Sequence, residues 1–516
     1  MYMTQGLHRG RQQTPDKTMI VGGGRARSFQ EVTQRVEKLA GGFGELGVVS
    51  GDRVAILALN SHCYHEYLLA VPWADAVLNP LNIRWNASEI GYALRDSETK
   101  VLIIDDAHRE MLSAIRANCD QLSTVVYCGE DTPPEGTVGY EQLIAGARGV
   151  PDARRGGGEL AGIFYTGGTS GEPKGVMLSH AAIMTSWLGA VASGHVFRSR
   201  QESRCLHAAP MFHLAGLTAW GVTTLLGGTH VVVPRFEPNA VLSAVESHQA
   251  TDIALVPTMV QAIVDYPGLA ALDLSSLRAI LYGGSPIPKP LLERAGAAMP
   301  QVAFTQAYGM TELAPVATLL GPEDHATAGL LQSAGRAAPN CEVCIVDEAG
   351  VEVPRGTIGE VIVRGGNVML GYWNKPAETA QALRDGWMHT GDGGRMDEDG
   401  YVFIVDRIKD MIVTGGENVY SVEVESAIAR NPAVAQCAVI GVPDPDWGER
   451  VHAVVVLQPG NTATPESIRE DSKRYIAGYK APRSVDFVES LPTSAAGKVL
   501  KRELRLRYRT AVDCGA

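Results

Sequence analysis

Residues 165–175 read YTGGTSGEPKG and follow a short apolar run. Four glycines, the hydroxyls of Thr166, Thr169 and Ser170, and one lysine, Lys174, stand within eleven positions. Small residues let backbone N–H groups approach phosphate oxygens closely, and hydroxyls and an ammonium add donors. The chemistry such a composition offers is the cradling of a polyphosphate. The run is not a Walker A loop, because Pro173 rather than Gly precedes Lys174. It also lacks the GxGxxG spacing of dinucleotide-binding turns. Taken alone, a Gly-rich turn reads equally as a flexible hairpin tip.

Four further segments carry groups suited to a nucleotide. QAYGMTE at 306–312 supplies an aromatic ring that can stack on a base, and a Thr and a Glu that can hold phosphate and a divalent cation. By itself it is also a strand end followed by a helix cap. GWMHTGD at 386–392 ends on Asp392, whose two oxygens can accept from two ribose hydroxyls. An Asp in a tight turn is the plain alternative. DRIKDMIVTGGENV at 406–419 and LPTSAAGKVLKREL at 491–504 bring cations and paired glycines. Alone they read as a solvated charge run and a basic surface helix start.

In this order the five segments resemble the adenylate-forming superfamily of acyl-CoA synthetases, peptide-synthetase adenylation domains and beetle luciferases. The resemblance covers most of the chain from about 165 to 505, and is closest to the acyl-CoA synthetase branch. The family's phosphate loop commonly reads YTSGTTGxPKG; Gly167 stands here where Ser is usual. The resemblance implies that Thr166, Gly168, Thr169, Ser170, Gly171 and Lys174 hold phosphate. It implies that Tyr308 stacks on adenine beside Gly283, Gly284 and Gly309, that Thr311 contacts phosphate, and that Glu312 ligates Mg2+. Asp392 and Arg407 would hold the ribose, and Lys498 would be the lysine that catalyses adenylation, with Thr166, His213 and Glu312 as the other catalytic residues. Lys409 falls at the family's hinge. Gly415 and Gly416 match a bare strand lining the pantetheine tunnel.

PMFH at 210–213 resembles the segment where CoA ligases carry a His beside the substrate carboxylate. His213 stands where amino-acid-activating relatives have an Asp, which disfavours an amino acid substrate. Phe212, His213, Tyr282, Gly283, Gly284, Gly309 and Met310 would line the acyl pocket. Trp447 in DPDWGER, Arg84 in NIRW and Arg483 in YKAPR occupy positions that relatives place by CoA, with ordinary surface packing as the alternative.

The expected reaction is attack of a carboxylate on the α-phosphorus of ATP, then of a thiol on the acyl-AMP. ATP, Mg2+ and coenzyme A are the implied cofactors, and a small carboxylic acid the substrate. An acyl- or aryl-AMP ligase that loads a carrier protein is the alternative within enzymes. A nucleotide-binding regulatory protein without turnover is the alternative from another class. No GxSxG supports a serine hydrolase.

The elements that must position these groups are legible as alternation. Residues 29–46 carry apolar residues at helical spacing behind a cap-like Ser28. Apolar runs at 52–59, 100–104, 161–165, 231–234, 254–257 and 279–284 read as buried strands, with helical stretches between several of them. That texture predicts an α/β fold of stacked sheets. From about 341 the texture becomes alternating strands and Gly/Asp turns, a small antiparallel β-rich unit. Beyond Lys409 follows an α+β piece of about a hundred residues. The predicted organisation is a large ATP- and acyl-binding domain over 1–408 and a small mobile domain over 409–516.

With 516 residues and a net charge of -12, the chain is expected to bind neither nucleic acid nor a polybasic-attracting membrane surface. Its eight cysteines form no disulfide pattern, and Cys341 and Cys344 read as a packed thiol pair on a strand rather than a zinc or redox couple. The N-terminus lacks an apolar signal core, and no run of about 18 apolar residues suggests a membrane span. The C-terminal DCGA is not a peroxisomal address. The expectation is a cytoplasmic enzyme, with a homodimer left open.

Overall fold

The computed structural model describes residues 1–166, 172–197, 202–285, 287–327, 329–493 and 499–513. Two large sheets dominate it. In an eight-stranded sheet, Val77–Pro80, Arg53–Leu57, Val101–Ile104, Thr124–Tyr127 and Val138–Gly139 run parallel. Leu160–Thr166 joins them in parallel beside Val77–Pro80 and turns back antiparallel through Lys174–Ser179 to the short Gly371–Tyr372. In a nine-stranded sheet, Arg204–His207, Thr229–Val232, Asp252–Leu255, Ala279–Gly283 and Ala303–Gly309 run parallel, with antiparallel strands at its edges.

These strands read as unbroken apolar runs because both faces are covered. Every residue of Val101–Ile104, Thr229–Val232 and Asp252–Leu255 is buried. The helices Phe29–Glu45, His62–Trp73, His180–Ala192 and Leu214–Leu226 share one core with both sheets, around the fully buried Trp187 and Trp220. Helices such as His62–Trp73 and Leu214–Leu226 are buried almost all round, which is why their sequences show no polar face. Phe29–Glu45 is a surface helix and starts as its sequence predicts. Ser28 accepts from the Glu31 N–H and Glu31 accepts from the Ser28 N–H, a reciprocal cap worth about 1 kcal/mol.

The β-rich unit is also present. Cys341–Val346, Gly359–Gly365, Trp387–Met396, Leu383–Arg384 and Val402–Arg407 form an antiparallel sheet. One expectation fails within it. Cys341 and Cys344 are three residues apart on a strand, so their side chains leave opposite faces and form no pair. The Cys341 thiol instead lies 3.0 Å from the Ala317 carbonyl oxygen.

Past residue 411 a smaller α+β domain has its own sheet, formed by Glu417–Val419, Ile412–Thr414, Gly448–Leu457, Val434–Asp444 and Ser484–Phe487. Helices Ser421–Ile428, Pro465–Ser472 and Lys501–Asp513 accompany it over separate small cores. No helix among the described residues is long and apolar enough to cross a membrane.

Candidate active site

In parallel sheets, ligands bind beyond the carboxyl ends of the strands. Several of the expected site residues stand at or beyond such ends. Thr166 ends Leu160–Thr166, Gly283 ends Ala279–Gly283 and Gly309 ends Ala303–Gly309. His213 lies six residues beyond the end of Arg204–His207 and sits at the N-cap of Leu214–Leu226.

Three of the expected nucleotide residues are directly bonded to one another. The Tyr308 hydroxyl donates to Asp392 Oδ2 at 2.8 Å, and Arg407 Nε lies 2.6 Å from Asp392 Oδ1. Asp392 and Arg407 are cross-strand partners in the β-rich sheet, so register alone brings them together. Asp392 is therefore on a strand and not in the tight turn that its local sequence also allowed. Burial, and next the Asp392 charge, push the Tyr308 phenol well above its usual range.

Glu312 follows in the 3-10 turn Thr311–Leu313 and is buried. Its Oε1 accepts from the Tyr372 hydroxyl at 2.8 Å. The ammonium of Lys174 lies 5.1 Å from the centre of the Tyr372 ring. Tyr372 thus ties the Glu312 carboxylate to the strand Lys174–Ser179 after the Gly-rich loop, whose Lys174 is the cross-strand partner of Thr166. Tyr372 has no local sequence signature, and sequence reasoning missed it. Its position is legible only through the pairing of Gly371–Tyr372 with Lys174–Ser179.

Gly309 is required sterically. A Cβ there would lie 1.8 Å from the Pro315 carbonyl oxygen. Met310 and Thr311 continue the chain from it, and Met310 is partly buried against the main core. On the acyl side, Phe212 is buried with its ring centre 4.1 Å from that of His213. Tyr282 differs from expectation. Its side chain is buried in the core beneath the nine-stranded sheet, with its hydroxyl 2.9 Å from His325 Nε2. Of YGGSP, Gly283 and Gly284 are the part that stands at the carboxyl end of the strand.

The expected CoA residues divide. The guanidinium of Arg483 stacks on Trp447 at 3.9 Å from the ring centre, and the Gly415 N–H donates to the Trp447 carbonyl at 2.8 Å. Gly415 and Gly416 are not in a strand. They form the two-residue turn between Ile412–Thr414 and Glu417–Val419, with φ of 60° and 83°. Two positive φ values define a primed hairpin turn, which glycine accommodates without strain. Arg84 lies elsewhere, exposed in the loop after Val77–Pro80.

Lys409 is exposed in the 3-10 turn Ile408–Asp410, which leads from the β-rich sheet to the smaller domain. Gly168, Thr169, Ser170, Gly171 and Lys498 lie outside the described residues.

Comparison with known proteins shows the family and the fold. The family model of the AMP-binding enzyme matches residues 7–373, and that of the AMP-binding enzyme C-terminal domain matches residues 423–498. The chain is 41% identical over 504 residues to a feruloyl-CoA synthase of Amycolatopsis sp, covering 96% of both chains. It is 37% identical over 498 residues to an indoleacetate–CoA ligase of Aromatoleum aromaticum, covering 95% of each. Among solved structures, ATP-bound MatB from Rhodopseudomonas palustris superposes with a TM-score of 0.89 at 33% identity, over 99% of this chain and 100% of that one. The chain belongs to the AMP-binding enzyme family, the adenylate-forming acid–thiol ligases.

Proposed function

We propose that this ligase activates an aromatic carboxylic acid with ATP and transfers the acyl group to coenzyme A, releasing AMP and pyrophosphate. The observation that carries the adenylation reading is the bonded set Tyr308, Asp392 and Arg407, with Tyr308 at the carboxyl end of a parallel strand and Glu312 close enough to act on the Arg407 charge. The aromatic class is supported by similarity to relatives named for ferulate and indoleacetate.

A carboxylate is a poor acyl donor because its leaving group would be hydroxide or oxide. Attack on the α-phosphorus replaces that with AMP. Both reactants are anions, so fixed cations must offset the charge that accumulates in the transition state. Lys174 on the phosphate side and Lys498, brought by the small domain, are the proposed cations. Tyr308 offers a ring to the adenine, while Asp392 and Arg407 offer an acceptor and a donor to the ribose. Holding the acid and the nucleotide in line supplies much of the rest, since orientation alone can contribute roughly 7–11 kcal/mol.

Glu312 fits a Mg2+ ion. It is one buried carboxylate whose Oε1 is oriented by Tyr372, and Mg2+ is commonly held by one or two carboxylates together with substrate phosphates. When bound, the ion would neutralise phosphate charge.

In the second half-reaction the thiol attacks the acyl carbonyl and AMP leaves. We assign Trp447, Arg483 and the Gly415–Gly416 turn to CoA, and Lys409 to the hinge between a domain over 1–408 and one over 409–516. The cytoplasm, where ATP and CoA are both present, is the compartment this reading implies.

The test is pyrophosphate release with ATP, Mg2+ and a panel of ferulate, 4-hydroxybenzoate, indoleacetate and octanoate, each with and without CoA. An aromatic acid should give the highest kcat/KM, and CoA should drive AMP release. Octanoate preferred by tenfold would overturn the aromatic assignment. A relative named as a fatty acid–[acyl-carrier-protein] ligase, from Streptomyces coeruleorubidus, is 35% identical over 500 residues, covering 96% of this chain and 94% of that one. Acyl-AMP that forms but is not discharged by CoA would therefore favour a carrier protein as acceptor.

A further inference from the structure

The segment that carries Phe212 and His213 is held in place by one buried side chain from the other large sheet. Asn60 lies just past the carboxyl end of Arg53–Leu57, before Ser61 caps the helix His62–Trp73. It is 4% exposed. Its Nδ2 donates to the carbonyls of His207 at 3.3 Å and Ala209 at 3.0 Å, and its Oδ1 accepts from the Met211 N–H at 2.9 Å. Its own N–H donates to the Pro234 carbonyl at 3.1 Å. The turn beneath it is fixed in turn by Asp105, whose carboxylate accepts from the Leu59 N–H at 2.7 Å.

These contacts demand a carboxamide. Two backbone carbonyls take a donor and one backbone N–H an acceptor, all at the end of one short side chain. A carboxylate of the same shape would place an oxygen against two carbonyl oxygens. An aliphatic residue would take away the partner of the buried Met211 N–H and of the Ala209 carbonyl, and would leave the His207 carbonyl only the Val233 N–H. The contacts fall on alternate residues, 207, 209 and 211, and stop one residue before Phe212. They also join the two sheets at the ends where the site lies, Arg53–Leu57 belonging to one sheet and Arg204–His207 to the other.

We propose that Asn60 is a positioning residue for the acid. By fixing the path of residues 207–211 it sets where Phe212 and His213 stand, and so governs affinity and selectivity for the carboxylic acid rather than for ATP. This rests on the reading of Phe212 and His213 as acid-pocket residues.

The test compares Asn60→Asp, Asn60→Ser and His213→Ala in the full-length enzyme. Pyrophosphate release is measured with ferulate, 4-hydroxybenzoate, indoleacetate and octanoate, and each protein's melting temperature is recorded. Asn60→Asp should raise the acid KM at least about tenfold, leave the ATP KM within about twofold, and change the rank order of the acids. Asn60→Ser keeps a hydroxyl that can both donate and accept, so it should show a smaller change in the same direction. If Asn60→Asp does not fold, the Asn60→Ser comparison decides. A lowered melting temperature with unchanged acid KM and acid order would make Asn60 purely structural and overturn the proposal. Acid and ATP KM rising together would overturn it as well. If His213→Ala also leaves acid KM and acid order untouched, the pocket reading itself fails and takes this inference with it. If His213→Ala changes them and the Asn60 variants do not, the inference alone fails.

Discussion

The guanidinium carbon of Arg483 lies 3.9 Å from the centre of the Trp447 ring, yet 43% of Trp447 is exposed. An exposed indole is usually mobile. Here a cation stacks on it, a contact worth roughly 0.5–1 kcal/mol at such a site. The glycine turn packs so close that a Cβ on Gly415 would lie 2.6 Å from a ring carbon. Three residues far apart in sequence therefore hold one flat surface and one positive charge in place, a suitable receptor for an anionic nucleotide.

Trp447→Ala removes that surface without touching the adenylation residues. The CoA KM of thioester formation should rise about tenfold, equivalent to about 1.4 kcal/mol. The rate of pyrophosphate release in the first half-reaction should stay within about twofold. An adenylation defect as large as the CoA defect would rule out the assignment of Trp447 to CoA.

Asp392 stands between Tyr308 and Arg407, so its loss has two consequences. It removes the proposed ribose acceptor and strands the half-buried Arg407 charge. Charge-assisted bonds contribute about 1.5–3 kcal/mol, so Asp392→Ala should raise the ATP KM by roughly 10- to 100-fold. Tyr308→Phe keeps the ring and loses one neutral donor, and should cost well under tenfold. ATP–pyrophosphate exchange measures both. Equal losses in the two variants would contradict a stacking role for the ring.

Gly309→Ala tests the close approach directly. The added methyl would meet the Pro315 carbonyl at 1.8 Å, and the neighbouring contact at 3.0 Å is the Ala317 backbone nitrogen. Neither is the end of a flexible side chain. Overpacking of this kind costs about 1–3 kcal/mol or more. The variant should melt at a lower temperature and lose adenylation even when folded. A normal melting curve with full activity would show that the strand can give way.

How much of this was visible in the sequence depended on how local the cause is. The cap at Ser28 is a local device and appears as read, while the reciprocal bond from Glu31, three residues on, was not read. The buried parallel strands were legible because covering both faces leaves continuous apolar runs. Asp392 and Arg407 could be named from their motifs, but their pairing follows from antiparallel register. Tyr372 and Asn60 were invisible because each acts on residues distant in sequence, Glu312 for one and 207–211 for the other. Gly415 and Gly416 were assigned the wrong conformation because paired glycines suit a bare strand and a primed turn equally. Only the pairing of Thr414 with Glu417 separates these two conformations.

The hinge makes the most demanding prediction. The β-rich sheet ends at Arg407 and the next strand begins at Ile412, so the 3-10 turn Ile408–Asp410 spans almost the whole connection. The structure shows how one domain arrangement is held. Arg505 lies 2.5 Å from Asp410, and Asp406 accepts from both the N–H and the hydroxyl of Ser421. Lys501, three residues after Lys498, bonds Ser421 and lies 2.7 Å from Glu425. A swing of the small domain must act through the backbone torsions of this turn. Proline at 409 fixes φ near −65° and constrains Ile408 as well. Lys409→Pro should therefore adenylate its acid at close to the normal rate, transfer the acyl group to CoA slowly, and accumulate acyl-AMP on the enzyme. Lys498→Ala should do the reverse, failing to form acyl-AMP while still making thioester from presynthesised acyl-AMP. Quenched single-turnover assays of both half-reactions measure each outcome. Unchanged thioester transfer in a well-folded Lys409→Pro protein would falsify the hinge, because a connection this short leaves the rotation no other place to occur.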